Sequence, residues 1–269
     1  MNYLADIIVI GDSKEGHEAV KRLAASKPTI KITFISREFK SKTTHDYLNV
    51  EYLKEEVIFI DYKNRLFGCY LKNGNRVFGT HLIIATGVAY EPLLLDDGTL
   101  VPCVSNTVND IAKTAKVQPA VVFGKQNSDV KLAIEAAKKY KYVYFCIEKL
   151  TLDDITLANN KKLKEAKNIA ILPNTTLKNV ILEEGILRAV ELTNYSKINC
   201  SAIYIKTPTI PETAFVSTKL FQKDETQHLI VKNNAESLII PKCFAIGNCI
   251  IKYKKQMGQL MIDCILKDF

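Results

Sequence analysis

Residues Asp6 to Glu18, D-I-I-V-I-G-D-S-K-E-G-H-E, constrain this chain more than any other stretch. An apolar run from Ile7 to Ile10 ends in Gly11, and a second glycine stands at Gly16. Ala19, Val20, Leu23 and Ala24 follow at the spacing of an amphipathic helix. Buried strand, tight turn and helix in that order open a β-α-β unit, a frame in which a helix N-terminus meets a dinucleotide pyrophosphate. Ser13 takes the middle position of the G-x-G-x-x-G pattern. A serine there still offers its backbone N–H to a phosphate, but its Cβ stands in the approach that glycine leaves open.

The same theme returns later. Ile7–Ile10 and Lys31–Ile35 are predicted strands flanking the first helix. Val57–Ile60, Leu66–Leu71 and Arg76–Phe78 are predicted as short strands with polar turns between them, and Leu82–Ala85 as a second buried strand ending in Thr86-Gly87. Near Val117 the pattern restarts. Pro119 to Gly124 is a strand ending in glycine, and Asp129 to Lys139 is a helix with Val130, Ala133, Ile134 and Ala137 on one stripe. Tyr142–Ile147 is the next strand, followed by candidates at Ile169–Leu172, Leu187–Leu192 and Ala202–Ile205. Leu229–Val231 and Cys243–Ile246 are the last strands, and Lys255 to Leu266 a closing helix. The fold class expected is α/β, with two Rossmann-like domains. The first is discontinuous, residues 1–112 plus 210–269, and the second covers residues 113–209.

Composition narrows the function classes. A chain of 269 residues, 47% hydrophobic and 25% charged, is an ordinary globular composition. Its apolar runs are far too short to cross a bilayer. The N-terminus enters a strand at once and lacks the shape of a signal peptide, so a cytoplasmic location is expected. The net charge of +8 is spread in pairs such as Lys138-Lys139 and Lys254-Lys255, not gathered on a face with interleaved aromatics, so nucleic acid is not an expected partner. The lysines either solvate helix faces or attract an acidic protein or phosphorylated ligand. The seven cysteines include no C-x-x-C pair, which argues against a zinc site and a disulfide framework. Neither His17, His45, His81 nor His228 has a recognisable catalytic partner in sequence.

Four marks occur in fixed order: G-D-S-K-E-G at Gly11–Gly16, L-I-I-A-T-G at Leu82–Gly87, the strand-glycine-helix at Val121–Gly124, and C-F-A-I-G-N at Cys243–Asn248. Together they resemble the two-dinucleotide-binding-domain flavoproteins of the pyridine nucleotide-disulfide oxidoreductase family, and most of all the thioredoxin reductases. The resemblance covers nearly the whole chain and implies FAD as cofactor. On it, the loop Gly11, Asp12, Ser13, Lys14, Glu15 and Gly16 faces the pyrophosphate. Ser36 stands where an acidic residue normally holds the adenosine ribose. Arg37 pairs with a phosphate, Glu38 reaches the ribose, or both are exposed loop charges. Backbone around Val57 meets adenine, and Ala85, Thr86 and Gly87 form the turn that closes over the cofactor. Gly247 and Asn248 lie where the family has an Asp on the flavin linker, and Gln256 near the flavin ring. Relatives of this kind are commonly dimers, so a homodimer is a further expectation.

Departures from the family are as informative as the matches. The stretch between Ser36 and Val50 is much shorter than in thioredoxin reductases. Cys103 stands alone where the family has its C-x-x-C dithiol; it is either a thiol capable of a mixed disulfide or sulfenic acid, or an idle buried one. The second turn, G-K-Q-N-S-D, has one glycine, and Glu148 follows the next strand where a basic pair would hold the NADPH 2′-phosphate. The expectation is therefore a divergent FAD flavoprotein that lacks the dithiol, does not use NADPH, and takes electrons from a protein donor, such as a small acidic redox protein. The alternative is a catalytically inactive relative that binds a nucleotide or a protein.

Overall fold

The structure is a computed structural model that describes residues 2–39, 47–95, 97–101, 104–105, 118–148 and 155–269. The chain divides into two compact units, residues 1–89 with 209–269, and residues 90–208. Unit 1 begins with β1 (Asn2–Ile10), α1 (Lys14–Ser26), β2 (Ile32–Ser36), β3 (Val50–Lys54), β4 (Val57–Lys63), β5 (Leu66–Leu71) and β6 (Arg76–Ile84), with a short β7 (Val88–Tyr90) at its end. The sheet order is β3-β2-β1-β6-β5-β4, parallel from β3 through β6 and antiparallel beyond it.

Helix α1 follows from local chemistry. Ser13 caps it, its Oγ accepting the Gly16 N–H at 3.1 Å. Gly16, Ala19, Val20, Leu23 and Ala24 are buried. Lys27 precedes Pro28, which disfavours a further helical turn, and Lys27 leaves helical geometry at φ −141°. Leu23 and its neighbours pack against Ile7, Val9, Phe34 and Ile83 on one face of the sheet. Burying a side chain of that size contributes about 1.5–3 kcal/mol. A second cluster, with Ile8, Ile10, Phe67 and Leu82, covers the other face.

The predicted strands Arg76–Phe78 and Leu82–Ala85 are one strand, β6, aligned with β1 from Asn2–Arg76 to Ile10–Ile84. Gly79 continues the strand because Ile8 packs over it: a Cβ there would lie 2.8 Å from Ile8 Cγ1. Thr80 Oγ1 donates to the Asp6 carbonyl at 2.9 Å, and the buried His81 reaches Asp268 Oδ2 through Nε2 at 2.9 Å. The polar residues that look like a break are satisfied by distant partners.

Unit 2 holds β8 (Val104–Ser105), β9 (Ala120–Gly124), α2 (Asn127–Ala137), β10 (Val143–Ile147), α3 (Leu157–Glu165), β11 (Ile169–Pro173), β12 (Leu177–Glu183), β13 (Ile186–Leu192), β14 (Tyr195–Asn199) and β15 (Ala202–Ile205). Its parallel sheet runs β11-β10-β9-β15-β8, and β12-β13-β14 form a separate antiparallel sheet. Helix α2 buries Val130, Leu132, Ala133 and Ala136 against the sheet, a stripe rotated from the predicted one, with Ile134 and Ala137 partly buried.

The chain then returns to unit 1 through β16 (Thr209–Pro211), β17 (Gln222–Lys223), β18 (Leu229–Ile230) and β19 (Cys243–Ala245). A 3-10 turn at Gly247–Cys249 and α4 (Lys255–Leu266) follow. Strand β19 pairs in parallel with the Leu82–Ile84 half of β6, beyond the half that β5 covers. Around the carboxyl ends of β1, β2, β6 and β19 the sheet is therefore wholly parallel. Helix α1 connects to one side of β1 while β6 lies on the other, which is the switch point where open α/β sheets bind ligands. Among the described residues no helix is long and apolar enough to cross a membrane.

Candidate functional site

Three chain segments converge at the unit 1 switch point. Gly11 follows β1 at φ +107°, and its N–H donates to the Ile35 carbonyl at 2.9 Å. A Cβ on Gly11 would lie 2.4 Å from Thr86 Cα and 2.5 Å from the Ala85 oxygen. The backbones after β1 and β6 thus touch, and only glycine permits it. Gly16 is fixed by crowding alone, since a Cβ there would meet the Gly11 oxygen at 2.7 Å and Ala85 Cβ at 3.0 Å.

Around this contact lie the loop side chains. Ser13 faces Gly87, a Cβ on which would be 3.9 Å from Ser13 Cβ. Asp12 is hydrogen-bonded to His17, whose ring meets Phe34 edge-on at 5.0 Å. His81 pairs with Asp268, and the His228 Nδ1 shares a 2.7 Å hydrogen bond with Thr226 Oγ1. Lys14 is exposed in the first turn of α1. The Glu15 carboxylate lies against Gly247, where a Cβ would be 3.2 Å from Oε2.

The turn after β6 holds one unsatisfied group. Thr86 Oγ1 is buried and completes no hydrogen bond, although the Cys249 thiol faces it. Cys249 Sγ donates to the Ile246 carbonyl at 3.1 Å, and burial pushes this thiol up to about 11. Gly87 and Gly247 both have positive φ, +69° and +80°. Asn248 is exposed at the carboxyl end of β19, and Gln256 is exposed in the first turn of α4. Burial, with the Glu15 carboxylate and Cys249 nearby, raises the Tyr253 hydroxyl.

At the end of β2, Ser36 is buried and its hydroxyl donates to the Glu38 carbonyl at 3.0 Å. Arg37 is ion-paired with Glu212 and its side chain is 58% exposed, so its charge is already matched. The Lys72 ammonium, with Arg37 adding to it, holds Glu56 below the usual carboxylate range. The Val57 side chain is buried in the core, leaving its backbone as the part that can face a ligand.

The corresponding turn of unit 2 is closed by its own carboxylate. Asp129 Oδ2 accepts the N–H groups of Lys125 and Gln126 at 3.0 and 3.2 Å. Its other oxygen meets Lys206 Nζ at 3.1 Å, with the Asp129 side chain only 5% exposed. Lys125 reaches across to Glu148 at 2.9 Å. A carboxylate at the third position of α2 is a capping signal that the sequence does carry; the Lys206 partner, far along the chain, leaves no such signal. Cys103 and His45 lie outside the described residues.

The chain matches the family model described as pyridine nucleotide-disulphide oxidoreductase over residues 14–247. No curated protein sequence matches significantly. Among solved structures it is similar to the thioredoxin reductase of Lactococcus lactis, with a TM-score of 0.74, 17% identity and 98% of each chain covered. It is also similar to the T. acidophilum thioredoxin reductase, at TM-score 0.67 and 14% identity over 97% of this chain and 96% of that one. The thioredoxin reductase of Streptococcus pyogenes matches at TM-score 0.59 and 17% identity over 100% of both chains. At such identities the structural likeness speaks for the fold, while the family match spans most of the sequence. The chain belongs to the pyridine nucleotide-disulphide oxidoreductase family and has the thioredoxin reductase fold.

Proposed function

We propose that this chain is a divergent flavoprotein that holds FAD in unit 1, works without a C-x-x-C dithiol and does not use NADPH. The observation that carries the reading is the contact of Gly11 with the Ala85–Thr86 backbone at the carboxyl ends of β1 and β6. The first-turn N–H groups of Lys14 and Glu15 have no intrahelical acceptors, and Lys14 adds a positive charge to the same turn. Asn248, exposed just after β19, offers both an acceptor and donors. FAD, when bound, supplies one- and two-electron redox chemistry that no side chain here provides.

The unit 2 turn argues against NADPH. A dinucleotide pyrophosphate needs the N–H groups that Asp129 holds, and would approach that carboxylate with like charge. Glu148 beyond β10 would likewise repel a 2′-phosphate. With that route closed, electrons come from a protein donor, and the net charge of +8 suits a small acidic redox protein. Cys103, a single thiol, is limited to one-thiol chemistry such as a mixed disulfide. The reading includes a cytoplasmic homodimer that acts on neither membranes nor nucleic acid.

One feature favours a second reading, an inactive relative serving as a nucleotide- or protein-binding module. Ser13 Oγ already takes the Gly16 N–H, and the Glu15 carboxylate sits where it opposes a pyrophosphate. An FAD titration followed by quenching of flavin fluorescence separates the two. Saturable one-to-one binding, followed by anaerobic mixing with NADPH that leaves the flavin oxidised, supports the first reading. Absence of FAD binding favours the second, and rapid flavin reduction by NADPH refutes the NADPH-independent assignment.

A further inference from the structure

Lysines that stand as separate pairs in the sequence are gathered by the fold of unit 2. Helices α2 and α3 run side by side in the same direction and are pinned at both ends by asparagines. Near their starts, Asn159 Nδ2 donates to Asn127 Oδ1 at 3.0 Å. Beyond their ends, Asn168 Nδ2 donates to the Ala137 and Tyr140 carbonyls at 2.8 and 3.0 Å. Val130, Ala133 and Ala136 of α2 and Leu163 of α3 are buried in the same core cluster as the sheet beneath. The opposite sides of the two helices form one exposed layer.

That layer is strongly basic. Lys131 is exposed on α2, Lys161, Lys162 and Lys164 on α3, and Lys138, Lys139, Lys141 and Lys167 in the turns that follow the helices. The exposed carboxylates among them are Glu135 and Glu165. Lys131 and Glu135, like Lys161 and Glu165, have the i,i+4 spacing of helix ion pairs, yet neither pair forms. Leaving Lys139 aside, these lysines have no ion-pair partner among the described residues, whereas Lys125 and Lys206 of the same unit do. Helix dipoles account for cations at the helix ends, such as Lys138, Lys162 and Lys164, but not for Lys131 and Lys161 at mid-helix. The 11 residues of α2 span about 16 Å at 1.5 Å each. The Debye length at physiological salt is about 8 Å, so the potentials of neighbouring lysines in the layer add.

We propose that the α2–α3 face of unit 2 is the docking surface for an acidic protein. It rests on the acidic partner of the proposed function, not on the flavin. Arginine, which forks around phosphates and stacks on bases, is absent from both helices and the turns after them, and neither helix carries an aromatic residue. A nucleic-acid face uses both. Leu157, 90% exposed at the start of α3, is the one exposed large apolar side chain on the two helices, too little to hold a membrane surface and enough to seat against a protein. Ammonium groups on long stems meet carboxylates at loosely fixed spacing and give fast, salt-sensitive association.

The probe is a labelled oligoglutamate peptide, its binding to the full chain followed by fluorescence anisotropy at low salt. A single-stranded oligonucleotide and vesicles of phosphatidylcholine with phosphatidylserine are the rival probes. Lys161→Glu, Lys164→Glu and Lys167→Glu together are compared with Lys21→Glu, Lys63→Glu and Lys219→Glu together, a reversal of three exposed lysines in unit 1. The expected result is saturable peptide binding that the unit 2 reversal weakens at least about tenfold, as for three exposed ion pairs lost at once, and that the unit 1 reversal weakens by less than about threefold. Equal weakening by both sets overturns the docking face and leaves the acidic partner standing. Absence of peptide binding by the parent chain overturns both. Tighter binding of the oligonucleotide or the vesicles than of the peptide, lost in the unit 2 variant, overturns the proposal by giving the face to that ligand. Melting curves that match the parent chain show that lost binding is not lost folding, and a neutral set, Lys161→Gln, Lys164→Gln and Lys167→Gln, repeats the comparison with a smaller expected loss if the reversed chain does not fold.

Discussion

Replacing Gly11 by alanine attacks the contact on which the unit 1 site is built. Two costs arise together. The residue sits at φ +107°, where a Cβ brings strain of about 1–3 kcal/mol. The new Cβ would also lie 2.4 Å from Thr86 Cα, a backbone atom that cannot rotate away, and forced overpacking adds about 1–3 kcal/mol. The expected loss is about 2–6 kcal/mol, a large part of the roughly 5–15 kcal/mol that holds a domain folded. Two companion variants separate the costs. Gly74 has φ +84° with open space around it, so Gly74→Ala measures strain alone, about 1 kcal/mol. Gly16 has no positive φ but would meet the Gly11 oxygen at 2.7 Å, so Gly16→Ala measures crowding, less up to about 1 kcal/mol returned by helix propensity. Urea unfolding followed by circular dichroism gives the global effect. Hydrogen exchange of the β1 and β6 amides localises it to unit 1. A Gly11→Ala variant no less stable than Gly74→Ala would refute the claim that the two backbones touch.

Other consequences are as direct. His81 is buried and its protonation is disfavoured by burial, while Asp268 is held below the ordinary carboxylate range by His81 and Lys242. Both depressions make stability present at neutral pH and lost on acidification, first as pH falls below the ordinary histidine value of 6.5 and again below 3.8. Melting temperature should therefore fall in two stages between pH 7 and 3, and Asp268→Asn should flatten the lower stage; a profile unchanged by Asp268→Asn would contradict the pairing. Burial raises the thiols of Cys69 and Cys243 and pushes Cys146 and Cys200 up to about 12. Alkylation of the native protein at pH 8, read by mass spectrometry, should label the half-buried Cys264 and spare Cys69, Cys146, Cys200, Cys243 and Cys249 until urea is added. The buried Tyr140 and Tyr204 hydroxyls share a 3.0 Å hydrogen bond, so Tyr140→Phe should destabilise unit 2 by about 1 kcal/mol in the same unfolding assay.

Where local pattern and final environment agree, the sequence was readable. Helix α4 occupies the predicted Lys255–Leu266, and the glycine turns after β1, β6 and β9 fall where the motifs put them. Strand β6 was not readable as one element, because Gly79, Thr80 and His81 look like a break until Ile8, the Asp6 carbonyl and Asp268 are known to meet them. Helix α3 is absent from the sequence reading for a related reason. It buries only Asn159 and Leu163 and is tied down by Asn159 Nδ2 donating to Asn127 Oδ1 at 3.0 Å, so it lacks an apolar stripe. Strands β12 and β14 were also missed; β12 is mostly exposed, so burial leaves little alternation to read there. In the site itself, the loop residues were legible from their order. What was not legible is how their side chains are spent on partners far along the chain: Arg37 on Glu212 and Asp129 on Lys206.

The central claim is that unit 1 retains a flavin while unit 2 has lost its dinucleotide. The absorbance spectrum of the purified protein, recorded before and after incubation with FAD and removal of the excess, tests it most directly. Flavin bands that persist through desalting in the parent chain and vanish in a folded Gly11→Ala variant are the predicted result. A colourless parent chain after reconstitution would contradict the account, and would mean that Ser13, Glu15 and the shortened segment after Ser36 together closed the site.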